Sequence, residues 1–565
     1  MCGQQPFFLF SPGRALSATR FVPETLRGAV LFVPPFYEER KGALPAFTRT
    51  ARALAEHQIA SLLFDFSGCG DSAGDFGNTD PEWMEEDAET ALTWLRNALP
   101  GLPVALLGLR TGAVLAARLA ARHPESALLV GWSPTDGPTF IRQLLQRRMV
   151  NDMTAYGKAR ESRAALEERL RHGDAVDLDG YVMTGAFHAW LQCLLPPALR
   201  IPVRLFSGGH DPAASRTFAA QAVHAECSEL RFPPFWNTVG QVDLTALTDE
   251  TVACLSACLS GPTRPAKSFP ALADCPDSTA EAAFLTLPVS PKVRAMLDLP
   301  RGTPRAGALF LHGWSGDRTG PHRLFTRFGR LLAAQGTLCL RPDFAGRGLS
   351  GGRPEEASIA GMAEGAQAAL AALRGRLPPG TPISVVAICS GCKVAITLAA
   401  GNPDLANLLL WSPESMGSLR SGATGWRKTR AALLAYARKL TRPETWRKIL
   451  TGRVRTDLVT RALVRHETRS AEEAVREDAT LARFRAFRNP LLLVFGGSDP
   501  DAPGSRTAYT RYCRTHAIPC RTHTIPHAGH SYYGEAWTQE LFEVSLAFLQ
   551  PDRDLPTRSE SDAEN

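Results

Sequence analysis

This sequence predicts two α/β domains in tandem, each a mostly parallel sheet flanked by helices and carrying a helical insertion. Three observations lead there. The chain has 565 residues, too many for one ordinary core at about 100–200 residues per domain. Its first half returns 278 or 279 residues later. Within each copy, short continuous apolar runs alternate with amphipathic stretches, the pattern of buried parallel strands joined by helical crossovers.

The repeat is read from four matches. RGAVLF (27–32) recurs as RAGALF (305–310), FTRTARALA (47–55) as FTRFGRLLA (325–333), DFSGCGDSAG (65–74) as DFAGRGLSGG (343–352), and GWSP (131–134) as LWSP (410–413). Four matches in one order at one spacing mark a duplication. The strand runs are LLFDF, PVALLGL, SALLVGW and PVRLFSG in the first copy, and LCLRPDF, PISVVAI, ANLLLW and PLLLVFG in the second. Between the WSP turn and the next strand each copy inserts a mainly helical segment, residues 138–200 and 415–488, in the position of a cap. The Pro-, Ser- and Ala-rich stretch 261–280 reads as a linker between domains 1–260 and 281–550, and residues 551–565 read as a disordered tail.

With 44% hydrophobic and 21% charged residues, the composition is that of a globular chain and excludes collagen-like and mostly disordered classes. No run of about 18 apolar residues is present, so no transmembrane helix is expected. The N-terminus MCGQQPFFLFSPGR has no basic region before its short apolar stretch, which argues against a secretory signal and for the cytoplasm. Twelve cysteines without framework spacing read as reduced thiols, and their spacings complete no zinc site. Neither a metal nor a cofactor is expected. One close pair, Cys389 and Cys392 in CSGC, leaves a redox reading open.

The chemistry is expected at the turn between the PVALLGL-type strand and the helix after it. A nucleophile elbow, G-x-S-x-G, has its reactive side chain at the centre of such a turn, with small residues two places before and after because the turn is tight. In the first copy that stretch is GLRTG (108–112), with Arg110 at the centre, and a guanidinium cannot attack a carbonyl. The repeat spacing puts Arg110 on Cys389, flanked by Ala387 and Gly391. Ser390 fails the same test, having Ile388 and Cys392 at those places. A thiol at a helix N-terminus is favoured as thiolate; a buried, unreactive elbow cysteine is the alternative.

A nucleophile needs a base and a group to orient the base. Asp499, after the strand PLLLVFG, is the orienting acid, with Asp501 as the alternative, and His530 in HAGH is the base, with His527 as the alternative. LFLHGW ends a strand at the turn of His312 and Gly313, so the backbone N–H of Trp314 is expected to join that of Ser390 as the oxyanion hole. The first copy fails this audit. It keeps Asp211 as an acid, but has Arg110 for the nucleophile and Trp236 where a histidine should follow. That half is expected to be catalytically degenerate, with Arg110 binding an anion or filling space.

From Gly417 to Arg469 there are 14 Lys or Arg and three acids, a net charge of +11 against +7 for the whole chain. Trp426, Leu433, Ala437 and Leu440 form one apolar stripe at helical spacing. Such a helix packs by its stripe and solvates its charges. The functional alternatives are attraction of an anionic, carrier-linked acyl substrate or peripheral contact with anionic lipid. No nucleic-acid motif accompanies the charge, and no nucleic-acid partner is expected.

Each half resembles the α/β-hydrolase superfamily. The second, with GPHRLFTRFGRLLAAQG, the cysteine elbow and YARKLTRPETWRKILTGRV, resembles one of the two hydrolases associated with exosortase gene clusters. The first, with PPFYEERKGA, DFSGCGDSAGDF and GLRTGAVLAARLA, resembles the other, whose elbow also carries arginine. The resemblance implies a fusion of two neighbouring proteins, and an acyl or ester substrate linked to a bacterial envelope polymer or exopolysaccharide. The chain departs from that family at Ala387, where the family has glycine, and in its HAGH motif. The residues and the resemblance together predict an ester or thioester hydrolase, or an acyltransferase, acting through an acyl-cysteine. The rival readings are a catalytically inert scaffold and a CSGC redox switch.

Overall fold

The computed structural model describes residues 3–209, 212–238, 240, 242–266, 278–354, 357–420 and 471–550. The first repeat contains strands β1 (Gly3–Ser11), β2 (Arg14–Val22), β3 (Gly28–Val33), β4 (Ile59–Phe64), β5 (Val104–Leu109), β6 (Leu129–Trp132), β7 (Val203–Ser207) and β8 (Ala225–Glu229). Its main helices are α1 (Glu39–Glu56), α2 (Trp83–Ala98), α3 (Thr111–Arg122), α4 (Gly137–Tyr156), α5 (Arg163–Arg171), α6 (Gly185–Gln192), α7 (Pro212–Ala219) and α8 (Thr245–Cys258). The second repeat contains β9 (Ala282–Leu287), β10 (Val293–Asp298), β11 (Ala306–Leu311), β12 (Thr337–Pro342), β13 (Ile383–Ile388), β14 (Asn407–Trp411), β15 (Leu491–Gly496) and β16 (Cys520–Ile525). Its helices are α9 (Leu324–Ala334), α10 (Ile359–Arg374), α11 (Gly391–Gly401), α12 (Ala471–Phe484), α13 (Ala502–Thr515) and α14 (Glu535–Leu549).

The sheets are ordered β1-β2-β4-β3-β5-β6-β7-β8 and β9-β10-β12-β11-β13-β14-β15-β16, the same order of strands in both repeats. In each, the first strand pairs antiparallel with the second and the second with the fourth, while the pairs that follow are parallel. The expected pair of mostly parallel, helix-flanked sheets is therefore what forms. Backbone packing divides the chain into two compact units, residues 1–383 with 532–543 and residues 384–531 with 544–565.

The continuous apolar runs follow from burial on both faces of the sheet. Along β3, Ala29, Leu31 and Val33 belong to one core while Val30 and Phe32 belong to the other. β5 divides likewise, with Leu106 on one side and Ala105, Leu107 and Leu109 on the other. Each fully buried Leu, Val or Phe is worth about 1.5–3 kcal/mol, and period-2 alternation distributes that gain to both faces.

The duplication reaches the backbone torsions. Arg110 and Cys389 have φ of 57° and 59°, and Ser133 and Ser412 have φ of 42° and 47°. A side chain in this region is unfavourable, so the same two unfavourable points recur 279 residues apart. Close approach explains the small residues of the first elbow. A Cβ on Gly108 would lie 2.4 Å from the Gly112 carbonyl oxygen, and one on Gly112 would lie 2.3 Å from that of Val33.

The first insertion is helical, as expected, with a short added hairpin of Val176–Leu178 and Tyr181–Met183. Asp136, Ser162 and Thr184 cap α4, α5 and α6 by accepting backbone N–H bonds. In the second insertion α12 is described, whereas the basic stretch 421–470, including Trp426, Leu433, Ala437 and Leu440, lies outside the described residues. So do 267–277 of the linker, the tail 551–565 and Asp211. None of the described helices is long and apolar enough to cross a membrane.

Candidate active site

Cys389 occupies the turn between β13 and α11, with its N–H bonded to the Trp411 carbonyl at 3.0 Å and its own carbonyl accepting the Cys392 N–H at 3.1 Å. Arg110 makes the matching bonds, to Trp132 and from Ala113, at 3.0 and 3.1 Å. The elbow therefore survives in both repeats although the side chain differs.

Cys389 is half-buried and has two polar partners. Its thiol donates to Glu414 Oε1 at 3.2 Å, and His530 is its electrostatic neighbour. His530 Nδ1 is 2.7 Å from Asp499 Oδ2, which leaves Nε2 as the ring nitrogen for sulfur. Asp499 is buried in the turn after β15 and its Oδ1 accepts the Asp501 N–H at 3.0 Å. Burial opposes protonation of His530, but the hydrogen bond to Asp499 and the charge interactions with Cys389 and Asp499 outweigh it and push its pKa up to about 10. His527, by contrast, is exposed, and Asp501 is an exposed residue at the start of α13. Cys392 is buried, its thiol donates to the Trp411 carbonyl at 3.5 Å, and burial pushes its pKa well up. That thiol is suited to packing.

Three charged residues around Cys389 are absent from the sequence reading. Glu414 Oε2 lies 3.2 Å from Lys393 Nζ, which in turn lies 3.4 Å from Glu477 Oε1. Glu477 also pairs with Arg420 at 2.8 Å and accepts the Gly417 N–H at 2.7 Å. Burial would raise the carboxyl of Glu414, yet Lys393, the Cys389 thiol and His530 hold it below the usual carboxylate range. Glu414 lies 279 residues after Thr135, and Thr135 Oγ1 is in turn a hydrogen-bond partner of Arg110. Reading WSPES against WSPTD would have found Glu414. Glu477 carries no such signal, because it is brought in by α12 from 88 residues beyond the elbow.

In the first repeat Arg110 is buried and fully engaged. Its Nε lies 3.3 Å and its Nη2 3.5 Å from the two Glu39 carboxylate oxygens, and it donates to Thr135 and Gln143. Its Cζ sits 4.9 Å from the centroid of the Trp236 ring. The guanidinium fills the place of a nucleophile, and its charge is met by protein groups.

His312 is buried at the end of β11. Its Nε2 accepts the Phe344 N–H at 3.1 Å, so Nδ1 carries the proton donated to the Gly313 carbonyl at 2.7 Å. Burial lowers its pKa, consistent with a neutral ring that braces the turn. Trp314 follows, its indole N–H donating to the Ala357 carbonyl at 3.2 Å and its ring face 4.3 Å from the Arg347 guanidinium carbon. Ser390 is buried beside Cys389 at the start of α11. Among the described residues no group of three or more His, Cys, Asp or Glu is placed to hold a metal ion.

Residues 27–231 match the family model described as serine aminopeptidase S33, and residues 308–544 match the one described as alpha/beta hydrolase family. None of the curated proteins matches the chain. Among solved structures, it is similar to the Pyrococcus furiosus esterase Pf2001, at 16% identity and TM-score 0.33, over 48% of this chain and 90% of that one. An alpha-beta serine hydrolase homologue from Coxiella burnetii matches at 16% identity and TM-score 0.32, over 48% and 98% of the two chains. The alpha/beta hydrolase domain-containing protein 10 from mouse matches at 16% identity and TM-score 0.33, over 45% and 98%.

Proposed function

The chain carries two α/β-hydrolase domains in tandem, and from that premise we propose that the second is a cysteine-dependent hydrolase of esters or thioesters. The observation that carries the reading is the positive-φ Cys389 as electrostatic neighbour of a histidine whose Nδ1 lies 2.7 Å from Asp499 Oδ2. In this reading the proton given up by the sulfur rests on His530 Nε2, and the sulfur attacks the acyl carbonyl, forming a C–S bond as the carbonyl π electrons move to oxygen. On the sequence motifs, the backbone N–H groups of Trp314 and Ser390 are assigned as the donors to that oxygen. Collapse expels the alcohol or thiol, which leaves with the proton from His530. Water then attacks the acyl-cysteine, His530 takes its proton, and the carboxylic acid leaves as the thiol is restored. An alcohol, amine or thiol in place of water makes the same chemistry an acyl transfer.

The first domain is the non-catalytic one in this reading, because Arg110 fills its elbow and pairs with Glu39. The motif resemblance to exosortase-associated hydrolases supports an envelope or exopolysaccharide setting in the cytoplasm, and the basic stretch 417–469 supports an anionic, carrier-linked acyl group. Turnover of a panel of short and long acyl esters and thioesters tests the reading. Wild type is expected to turn over at least one member, and Cys389→Ala and His530→Ala to lose at least 100-fold; a Cys389→Ala variant as active as wild type refutes it.

A further inference from the structure

A cavity of about 350 Å³ lies wholly within the first compact unit, lined by residues between Glu38 and Pro354 and by Tyr533. Cys389, Asp499 and His530 do not border it. One wall is a face of α1, where Lys41, Pro45 and Arg49 recur at i, i+4 and i+8. A second is the stretch around Trp236, whose backbone packs so closely on α1 that a Cβ on Gly42 would lie 2.7 Å from the Trp236 Cα. A third is Trp314 with Arg347, whose guanidinium carbon lies 4.3 Å from the ring centroid and whose Nη1 donates to the Gly346 and Pro354 carbonyls at 3.2 Å.

Cations outnumber acids in this lining by four to three, and the acids are met by donors of the protein. Asp317 accepts from Arg40 at 3.3 Å and from the Thr319 N–H and hydroxyl at 2.9 and 2.6 Å. Asp179 pairs with Arg147 at 2.8 Å. Glu38 accepts the Tyr533 hydroxyl on Oε1 and the His322 N–H on Oε2, both at 2.9 Å. Lys41 is different. It is half-buried, and among the described residues its ammonium has one ion-pair partner, Glu38 Oε1 at 3.3 Å, the same oxygen that accepts the Tyr533 hydroxyl. An ammonium has three N–H donors, so Lys41 keeps the capacity to take an incoming anion.

We propose that this cavity binds a small aromatic carboxylate. Lys41 takes the carboxylate, and the flat body lies against the aromatic walls of Trp236 and Trp314. One surplus cation in the lining suits one negative charge, and the volume is at the lower end of the range for small-molecule sites, about 300–1,000 Å³. The first repeat, which supplies Lys41 and Trp236, thus keeps a ligand site although Arg110 fills its elbow. Binding here needs no reaction at Cys389, so it stands or falls independently of the function proposed above.

Isothermal titration calorimetry of the full chain with 2-naphthoate tests this, with 2-naphthamide and acetate as probes that lack the charge and the ring. 2-Naphthoate is expected to bind one-to-one with Kd below about 1 mM. Each control probe is expected to bind about tenfold more weakly or worse, because a contact to a charged group is worth at least about that factor. Lys41→Met, which keeps the stem and removes the charge, is expected to weaken 2-naphthoate by about tenfold or more, and Lys41→Arg to stay within about threefold of wild type. Ser315→Trp, at an exposed lining residue, obstructs the cavity without touching Lys41 and supplies an independent variant with the same expected loss. Cys389→Ala is expected to bind within about twofold of wild type.

No saturable heat from 2-naphthoate up to about 10 mM overturns the proposal. So does 2-naphthamide binding as tightly as 2-naphthoate, because Lys41 would then have no part in recognition. Binding that is unchanged in both Lys41→Met and Ser315→Trp, or lost in Cys389→Ala, puts the ligand elsewhere in the chain and also overturns it.

Discussion

Replacing Asp499 by Asn keeps the shape of the side chain and removes its charge and its role as an obligate acceptor. The Asp499–His530 bond is 2.7 Å long and Asp499 is buried. A hydrogen bond between charged partners contributes about 1.5–3 kcal/mol, and one pKa unit corresponds to about 1.4 kcal/mol. The His530 pKa, now pushed up to about 10, is thus expected to fall by roughly one to two units. The second effect is larger. The Asn amide can donate to Nδ1 and drive the imidazole proton onto Nε2, the atom needed to accept the thiol proton. Loss of the correct tautomer is expected to reduce acylation by about 10³–10⁴-fold. An NMR titration of the His530 ring reads the first effect, and pre-steady-state acylation with an activated thioester reads the second. An unchanged titration midpoint with an unchanged acylation rate would refute the orienting role of Asp499.

Glu414→Gln removes the carboxylate that accepts the Cys389 thiol proton and leaves Lys393 beside it, so alkylation of Cys389 at pH 7 is expected to accelerate severalfold; slower alkylation counts against that role. His530 has a pKa raised from 6.5 to about 10 by the fold, so the stability it contributes is fully present below pH 6.5 and is lost as pH rises through 10. The melting-temperature gap between wild type and His530→Ala should accordingly shrink across that interval, and a gap that widens contradicts the assignment. Arg110→Ser leaves the buried Glu39 without its cation and is expected to cost about 3–5 kcal/mol in urea unfolding, with no gain of acyl-transfer activity in the first domain.

What the sequence reveals and what it hides follow from the range of the interactions involved. Parallel strands buried on both faces must be nearly continuous apolar runs, so LLFDF and PISVVAI advertise themselves locally, and duplication doubles the signal. The elbow is legible for the same reason, since its small flanking residues answer to a steric demand within five positions. Asp499 and His530 stand in short turns directly after strands whose positions are already known. Glu477 and Asp71 are different in kind. Asp71 reads as an ordinary turn residue in DFSGCGDSAG, yet it is buried between Arg318 and Arg341, 247 and 270 residues downstream. Those two arginines outweigh burial and hold its carboxyl far below the ordinary range. Nothing in a local window announces a partner at that separation, and the three-dimensional fold alone pairs the charges.

The central claim is that Cys389 forms the covalent intermediate, and the most direct measurement is rapid-quench peptide mass spectrometry after exposure to an acyl thioester. The account predicts one acyl increment on the Cys389 peptide, formed and lost at rates consistent with turnover and absent in Cys389→Ala. Turnover that persists in Cys389→Ala, or a folded wild-type chain with neither adduct nor turnover across the acyl panel, would contradict it.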